Sequence, residues 1–173
     1  ATFLPAISGF FTELLGRCNS VEGYIPNVDG RDRVPKGFEH GFEGMNFLDK
    51  EKGYYYYNKA LYSAGHAYLD LDKSAVMEHI IQGRDRTNTT IVGDSGGFQI
   101  GKGVWEGDWK DPNCPKAQKK REQVLAWMDA YMDYGMILDI PAWVARSPAG
   151  VKATGISTYQ EAVDATRINN DYF

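Results

Sequence analysis

The pattern of apolar and polar positions becomes regular from about Leu71 onward. The stretch SAVMEHIIQ has apolar residues at helical spacing, with Asp72 or Ser74 as candidate caps and Gly83 as a stop signal. A short β-branched run at residues 89–92 follows and ends in a glycine-rich turn. The pattern therefore predicts a helix followed by a strand.

A second strand is predicted after a long helix. Beyond Pro115, apolar side chains recur at helical spacing until a stop at Gly135, namely Val124, Leu125, Met128, Tyr131 and Met132. Residues 136–138 are a continuous apolar run that ends at Asp139. Such a run predicts a strand buried on both faces.

The remaining segments give weaker patterns. Residues 23–46 carry Asp-Gly and Pro-Lys-Gly turn signals and are predicted to form loops and short irregular pieces. Four tyrosines at residues 54–57 favour a strand. Near the end, Thr158 and Glu161 form a capping-box pattern, which predicts the start of a helix.

Strands with little alternation, each followed by a helix, predict an α/β fold with a parallel sheet. Three or four such units are visible, whereas a complete (β/α)8 TIM barrel takes about 250 residues. We therefore expect a partial barrel, its N-terminal portion, with an irregular segment at 1–53 and the first βα units at 54–173. The chain opens on Ala1 and closes on Phe173 within a helical pattern, so a fragment is expected.

Composition narrows the class. Of 173 residues, 43% are hydrophobic, 13% aromatic and 24% charged, which excludes a disordered chain. No apolar run of about 18 residues predicts a membrane span. Cys18 and Cys114 form no CxxC pair, so no disulfide framework is expected and a cytoplasmic location is predicted. The net charge of −4 argues against a dedicated electrostatic nucleic-acid binder.

The most specific string is GDSGGFQ at residues 93–99. Its first five residues also occur around the nucleophile of trypsin-like serine proteases, which leaves a serine hydrolase using Ser95 as a remote alternative. That chemistry needs a histidine base. His66 precedes Ser95 by too few residues for a two-barrel all-β protease, and the flanking pattern alternates strand and helix.

With Phe98 and Gln99 included, DSGGFQ resembles the hallmark of the tRNA-guanine transglycosylase superfamily. A second landmark of that family is an apolar strand ending in Asp, matched here by MILDIP and Asp139. A weaker third landmark is an Asn-containing turn, for which Asn58 is the candidate. The resemblance covers roughly residues 54–173 and is most specific at residues 94–99.

The resemblance implies an enzyme that replaces guanine in nucleic acid with a 7-deazaguanine by double displacement. Asp94 is then the expected general acid/base and a base contact. Asp139 offers two acceptors to the neighbouring N1–H and amine donors of a guanine-like base. The remaining candidate base-binding residues are Ser95, Gly96, Gly97 and Phe98, with Asn58 and Gln99 as secondary candidates.

The resemblance also implies parts that this sequence does not contain. The nucleophilic Asp is expected from a later strand beyond Phe173. A structural zinc with three Cys and one His is likewise expected C-terminally, and no metal site or cofactor is expected within these residues.

The sequence departs from the tRNA enzymes of the family at two places, and these bear on which nucleic acid is the partner. DSGGFQ is followed by IGKGVWEGDW, and Asp139 by Ile-Pro-Ala-Trp. These features are closer to the DNA-guanine transglycosylases of phages and bacteria, so DNA is favoured over tRNA, with both kept open. A non-catalytic accessory paralogue of the same superfamily is the alternative function, and a homodimer or heterodimer is compatible with either.

Structural roles compete with each assignment. Asp94 is also a good turn former, and Asp139 is also a candidate strand-end cap. The tyrosine run suits a β-surface better than a base-stacking platform. A basic run that opens the helix after Pro115 is more often a solvated face than a phosphate contact; its members are Lys116, Lys119, Lys120 and Arg121. The three histidines, at positions 40, 66 and 79, have no metal spacing.

Overall fold

The structure, a computed structural model, describes residues 1–20 and 43–173. Most of the predicted loop at residues 23–46 lies outside the described residues, as does His40. The part that is described contains a short 3-10 turn, Glu43–Met45.

Four parallel strands form one sheet in the order β1-β2-β3-β4. They are β1 (Ala6–Ile7), β2 (Lys59–Ser63), β3 (Thr90–Asp94) and β4 (Tyr134–Gly135). The central pair is in register from Lys59 opposite Thr90 to Ser63 opposite Asp94. The predicted α/β class with a parallel sheet is confirmed, in the form of a four-stranded sheet.

Helices occupy most of the connections between strands. They are α1 (Gly9–Ser20), α2 (Leu71–Met77), α3 (His79–Gln82), α4 (Gly97–Gly101), α5 (Pro115–Tyr131), α6 (Pro148–Thr154) and α7 (Tyr159–Tyr172), with a 3-10 turn at Ala142–Arg146. None of the helices in the described ranges is long and apolar enough to cross a membrane. The described residues before position 54 are more regular than the sequence predicted, because they contribute β1 and α1 to the sheet and its cover.

The helix predicted through SAVMEHIIQ is divided at Glu78. Its N-cap is Asp70, whose carboxylate accepts from the Lys73 N–H at 3.1 Å, and not Asp72 or Ser74. Glu78 is fully buried, and its carboxylate accepts hydrogen bonds from the Tyr62 hydroxyl at 2.9 Å and the Trp127 indole N–H at 3.0 Å. A carboxylate in the core is stabilised by such donors.

Residues 54–57 are not a strand, and that prediction is wrong. Their backbone bonds go to the preceding turn: the Tyr54 N–H donates to the Gly44 carbonyl at 2.7 Å, and Tyr57 N–H to Phe47 at 2.9 Å. β-propensity was outweighed here by local hydrogen bonding and aromatic packing.

The predicted strand at residues 136–138 is also wrong. The strand β4 lies earlier, at Tyr134–Gly135, and only one further ladder-like bond follows, from the Met136 N–H to the Gly93 carbonyl at 2.8 Å. Leu138 is buried, whereas Met136 is 42% exposed and Ile137 44% exposed. An apolar run does not distinguish a strand from an extended connection whose backbone is bonded by side chains.

The long helix after Pro115 and the capping box of α7 are confirmed. Two buried apolar clusters stabilise the fold. One packs beneath β1–β3 and is centred on Tyr62, Ile91 and Trp127. The other joins α4, α5 and α7 through Ile100, Ala117 and Ala162, with Trp109 and Leu138 packed among them.

Candidate functional site

Asp94 is the last residue of β3, at the carboxyl edge of the sheet. Its carbonyl accepts from the Ala64 N–H at 2.8 Å, which fixes it to the turn after β2. The residue is half-buried. Functional groups of parallel α/β proteins gather at this edge, so the position agrees with the one that the sequence predicted.

The glycines after Asp94 are required by close approaches of the backbone. Gly96 has a φ of 79°, and a Cβ there would lie 2.7 Å from both the Gly65 nitrogen and the Trp105 ring. A Cβ on Gly97 would collide with the Asp139 carbonyl oxygen. Only glycine permits this packing, and it brings the turn against the segment that carries Asp139.

Asp139 is exposed, and its carboxylate lies beside Ser95. The Ser95 hydroxyl donates to Asp139 Oδ1 over a long 3.4 Å, and Ser95 itself is fully buried. A buried serine whose described partner is a carboxylate positions that carboxylate. It does not have the access that a hydrolase nucleophile needs.

The backbone on both sides of Asp139 is bonded by side chains of α7. The Asn169 amide donates to the Leu138 carbonyl at 2.7 Å, and the Ile140 N–H donates to the Thr166 hydroxyl at 2.9 Å. Asn169 is fully buried and in turn accepts from the Arg121 guanidinium at 2.7 Å. These contacts hold the backbone on both sides of Asp139 in place.

Sequence reasoning missed Asn169, Thr166 and the role of Arg121. A signal was present, because Asn169 falls on the helix face of α7 that is otherwise buried alanine, Ala162 and Ala165. A polar residue on an apolar stripe usually has a specific hydrogen-bond partner.

Phe98 and Gln99 have different environments. The Phe98 ring is 56% exposed and lies 5.8 Å, centroid to centroid, from the Trp143 ring. The Gln99 amide donates to the Gly65 carbonyl at 3.0 Å, so it links the two turns at the sheet edge. Phe98 is therefore available to a flat ligand, and Gln99 is committed to the wall of the site.

Asn58 does not join this group. It precedes β2 and therefore lies at the opposite, amino-terminal edge of the sheet, where its amide donates to the Asn88 carbonyl at 3.1 Å. The prediction failed because the strand begins at Lys59 and not within residues 54–57. Asn58 consequently precedes the strand that it was expected to follow.

The basic run of α5 does not form a phosphate cluster. Arg121 is buried against Trp109 and Asn169, and burial lowers the pKa of its guanidinium. Lys116 is paired with Glu106 at 2.7 Å. The Lys120 ammonium lies 5.1 Å from the Trp105 ring centroid, and burial lowers its pKa.

The site thus joins the glycine turn after Asp94 to the exposed Asp139 carboxylate, with the exposed Phe98 ring next to the turn. Such a set can bind a flat, donor-rich heterocycle. Among the described residues, no three His, Cys, Asp or Glu side chains gather into a metal site. No protein-family model matches the chain, and neither a curated protein nor a solved structure matches it.

Proposed function

We propose that this chain binds and exchanges a guanine-type base in nucleic acid, as the base-binding part of a transglycosylase with a 7-deazaguanine as the incoming base. The observation that carries the proposal is the junction of the Asp94 turn with the Asp139 segment, which meet where Gly97 contacts the Asp139 backbone. The proposal includes the expectation that the four-stranded parallel sheet is part of a (β/α)8 barrel.

Asp139 is the residue proposed to read the base. Its carboxylate is exposed, and the backbone on both sides is bonded by α7 side chains. Two carboxylate oxygens accept from the N1–H and the 2-amino group of guanine in parallel, which is a charge-assisted bidentate pair. A fixed direction is what such recognition requires, because the entropy of orienting the group is lost in folding and not in binding.

Asp94 is proposed to move protons. In the exchange, a carboxylate attacks C1′ of the sugar and the C1′–N9 bond of guanine breaks. Asp94 protonates the departing guanine and later takes the proton from the incoming base as the second C1′–N bond forms. The attacking carboxylate is expected outside these residues. Base binding is therefore the property that can be measured directly with this chain.

The test compares Asp139→Asn, Asp94→Asn and Ser95→Ala. Binding of guanine and 7-deazaguanine is measured with this chain, and exchange of radiolabelled guanine into DNA and tRNA is measured with the protein extended to include the nucleophile. Asp139→Asn places an amide donor against the donors of the base, so we expect roughly 100-fold weaker binding. Asp94→Asn should bind the base but exchange it roughly 10²–10⁴-fold more slowly. Ser95→Ala should have a small effect on both.

The result that overturns the proposal is specific. If Asp139→Asn binds guanine as well as the parent chain does, or if Ser95→Ala alone abolishes activity, the proposal is wrong. A parent protein extended in the same way that binds the base without exchanging it, alone and with a partner subunit, would favour the accessory paralogue.

A further inference from the structure

Three elements beside Asp139 contain no acidic residue of their own. They are α4, the 3-10 turn Ala142–Arg146 and α6, and they pack on one another. Residues 95–105 and 140–160 contain no Asp or Glu and carry three cations, Lys102, Arg146 and Lys152. All three are exposed, and none forms an ion pair with a described carboxylate.

This local charge is opposite to that of the whole chain, which is −4. Lys102 and Lys152 lie on neighbouring segments, since a Cβ on Gly103, next to Lys102, would lie 3.0 Å from the Ala153 side chain, next to Lys152. A cationic surface on an acidic protein is complementary to an anionic partner.

An aromatic pair lies within the same surface. The Trp143 ring rests on Gly101, where a Cβ would lie 2.7 Å from the ring, and it extends the aromatic surface beyond Phe98. The Lys102 ammonium is 5.4 Å from the Phe98 centroid and 5.7 Å from the Trp143 centroid. One positive charge thus lies over two adjoining rings.

Rings with a cation beside them fit a base attached to a phosphate. Bases stack on aromatic side chains regardless of sequence, while lysine and arginine neutralise the backbone. A base within a duplex is already stacked on its neighbours, so the partner must be single-stranded or unpaired at this point. An acidic peptide would satisfy the cations but would leave the rings without flat partners.

We infer that the surface of Phe98, Trp143, Lys102, Arg146 and Lys152 binds a single-stranded polynucleotide beside the exchanged guanine. The nucleotide next to that guanine stacks on Trp143, and its phosphate lies at Lys102. This inference rests on the proposed function, because it takes the exchanged base to lie at Asp139. The rings bind a base by stacking and the cations bind a phosphate by charge. DNA and RNA share both groups, so single strands of either are expected to bind.

The test measures binding of a fluorescein-labelled single strand about 12 nucleotides long, as DNA and as RNA, with one guanine among pyrimidines. Trp143→Leu keeps an apolar side chain over Gly101 and should weaken binding roughly ten-fold. Lys102→Gln should weaken it roughly five-fold and lower the salt slope by about one. Lys119→Gln, an exposed lysine on α5, is the matched control and should change little.

Binding of free guanine separates this inference from the proposed function. Trp143→Leu and Lys102→Gln should keep the parent affinity for the free base, since neither residue contacts it. If the parent binds free guanine but both variants bind the strands like Lys119→Gln, the inference is wrong and the proposed function stands. If no variant or parent binds guanine, the proposed function fails.

Two competitors test the class of partner. The same sequence as a perfect duplex should bind more weakly than the single strand, and polyglutamate should not displace the strand at equal charge. Equal binding of the duplex, or displacement by polyglutamate, would overturn the inference in favour of a charge-only surface.

Discussion

Gly96 combines two constraints, a left-handed backbone and a side-chain position that is already filled. Its φ of 79° is left-handed, and the space for a side chain is filled by Gly65 and Trp105. Gly155 has a similar φ of 68°, but the nearest atom to its Cβ position is 3.9 Å away. A side chain would thus strain the backbone at both positions, but it would collide with neighbouring atoms only at Gly96 and not at Gly155.

Gly96→Ala should therefore destabilise the protein by about 2–4 kcal/mol, from strain and overpacking together. Gly155→Ala should lose only about 1 kcal/mol, from strain. Urea unfolding of both variants measures the difference. Equal losses would mean that the turn after Asp94 relaxes freely and does not hold Gly65 in place.

At this scale the sequence predicted what is local. Asp94, the glycine turn and the exposed Phe98 follow from a β-branched run that ends in DSGGF. The bonds from Asn169 and Thr166 to the Asp139 segment join residues about thirty positions apart, and no spacing rule predicts them. Asn58 was misplaced for a different reason. The edge of the sheet at which it lies depends on where β2 begins, and the tyrosine run did not predict that start correctly.

The capping box of α7 is the element with the clearest electrostatic consequence. The Glu161 carboxylate accepts from the Ser157 N–H at 2.7 Å, the Ser157 hydroxyl at 3.0 Å and the Thr158 N–H at 3.1 Å. These donors lower the pKa of Glu161 from its ordinary value of 4.5 to about 2. The folded state therefore favours the ionised form.

Because the folded pKa is depressed, Glu161 contributes stability above pH 4.5 and loses it as the pH falls toward 2. Glu161→Gln removes this titration, so the difference in urea midpoint between parent and variant should shrink between pH 5.5 and pH 2.5. Gln160→Glu, at the adjacent position of the same turn, is a control that adds a carboxylate outside the box. A constant difference across this range would show that the cap does not titrate.

Elements were predicted best where side chains and backbone interact within a few residues. The box of α7 and the helix after Pro115 are such cases. The tyrosine run and the 136–138 segment were predicted as strands because their residue types suit a sheet. The backbone of the first is hydrogen-bonded to a turn and that of the second to side chains of α7. These tertiary contacts outweigh the β-propensity of the residues.

At the scale of the molecule, the outer edge of the sheet exposes a row of apolar side chains. Within the described residues, β4 has no neighbour on its outer side, and Tyr134, Met136 and Ile137 are exposed along it. Two cavities of about 340 Å³ each meet at Ile137, one against α5 and one against α7. Unpaired edges and apolar surface of this kind favour association.

The 173-residue chain should therefore self-associate as its concentration rises, and Ile137→Lys should reduce this. A charge at the edge opposes further strand pairing. Val76→Lys, on the exposed side of α2, is the matched control and should associate like the parent. Sedimentation velocity over a range of concentrations measures the effect. A parent chain that stays monomeric throughout would contradict this account of the edge.

The bond from Asn169 to the Leu138 carbonyl has a consequence for the order of events during synthesis. A ribosome releases the Asp94 turn and the Asp139 segment well before α7, because the chain emerges from its N-terminus. Until Asn169 and Thr166 have left the exit tunnel, nothing on α7 orients Asp139. The nascent chain therefore carries the Asp139 segment for about 1.5–6 seconds, the time needed to add about thirty residues at about 5–20 residues per second, before α7 can hold it.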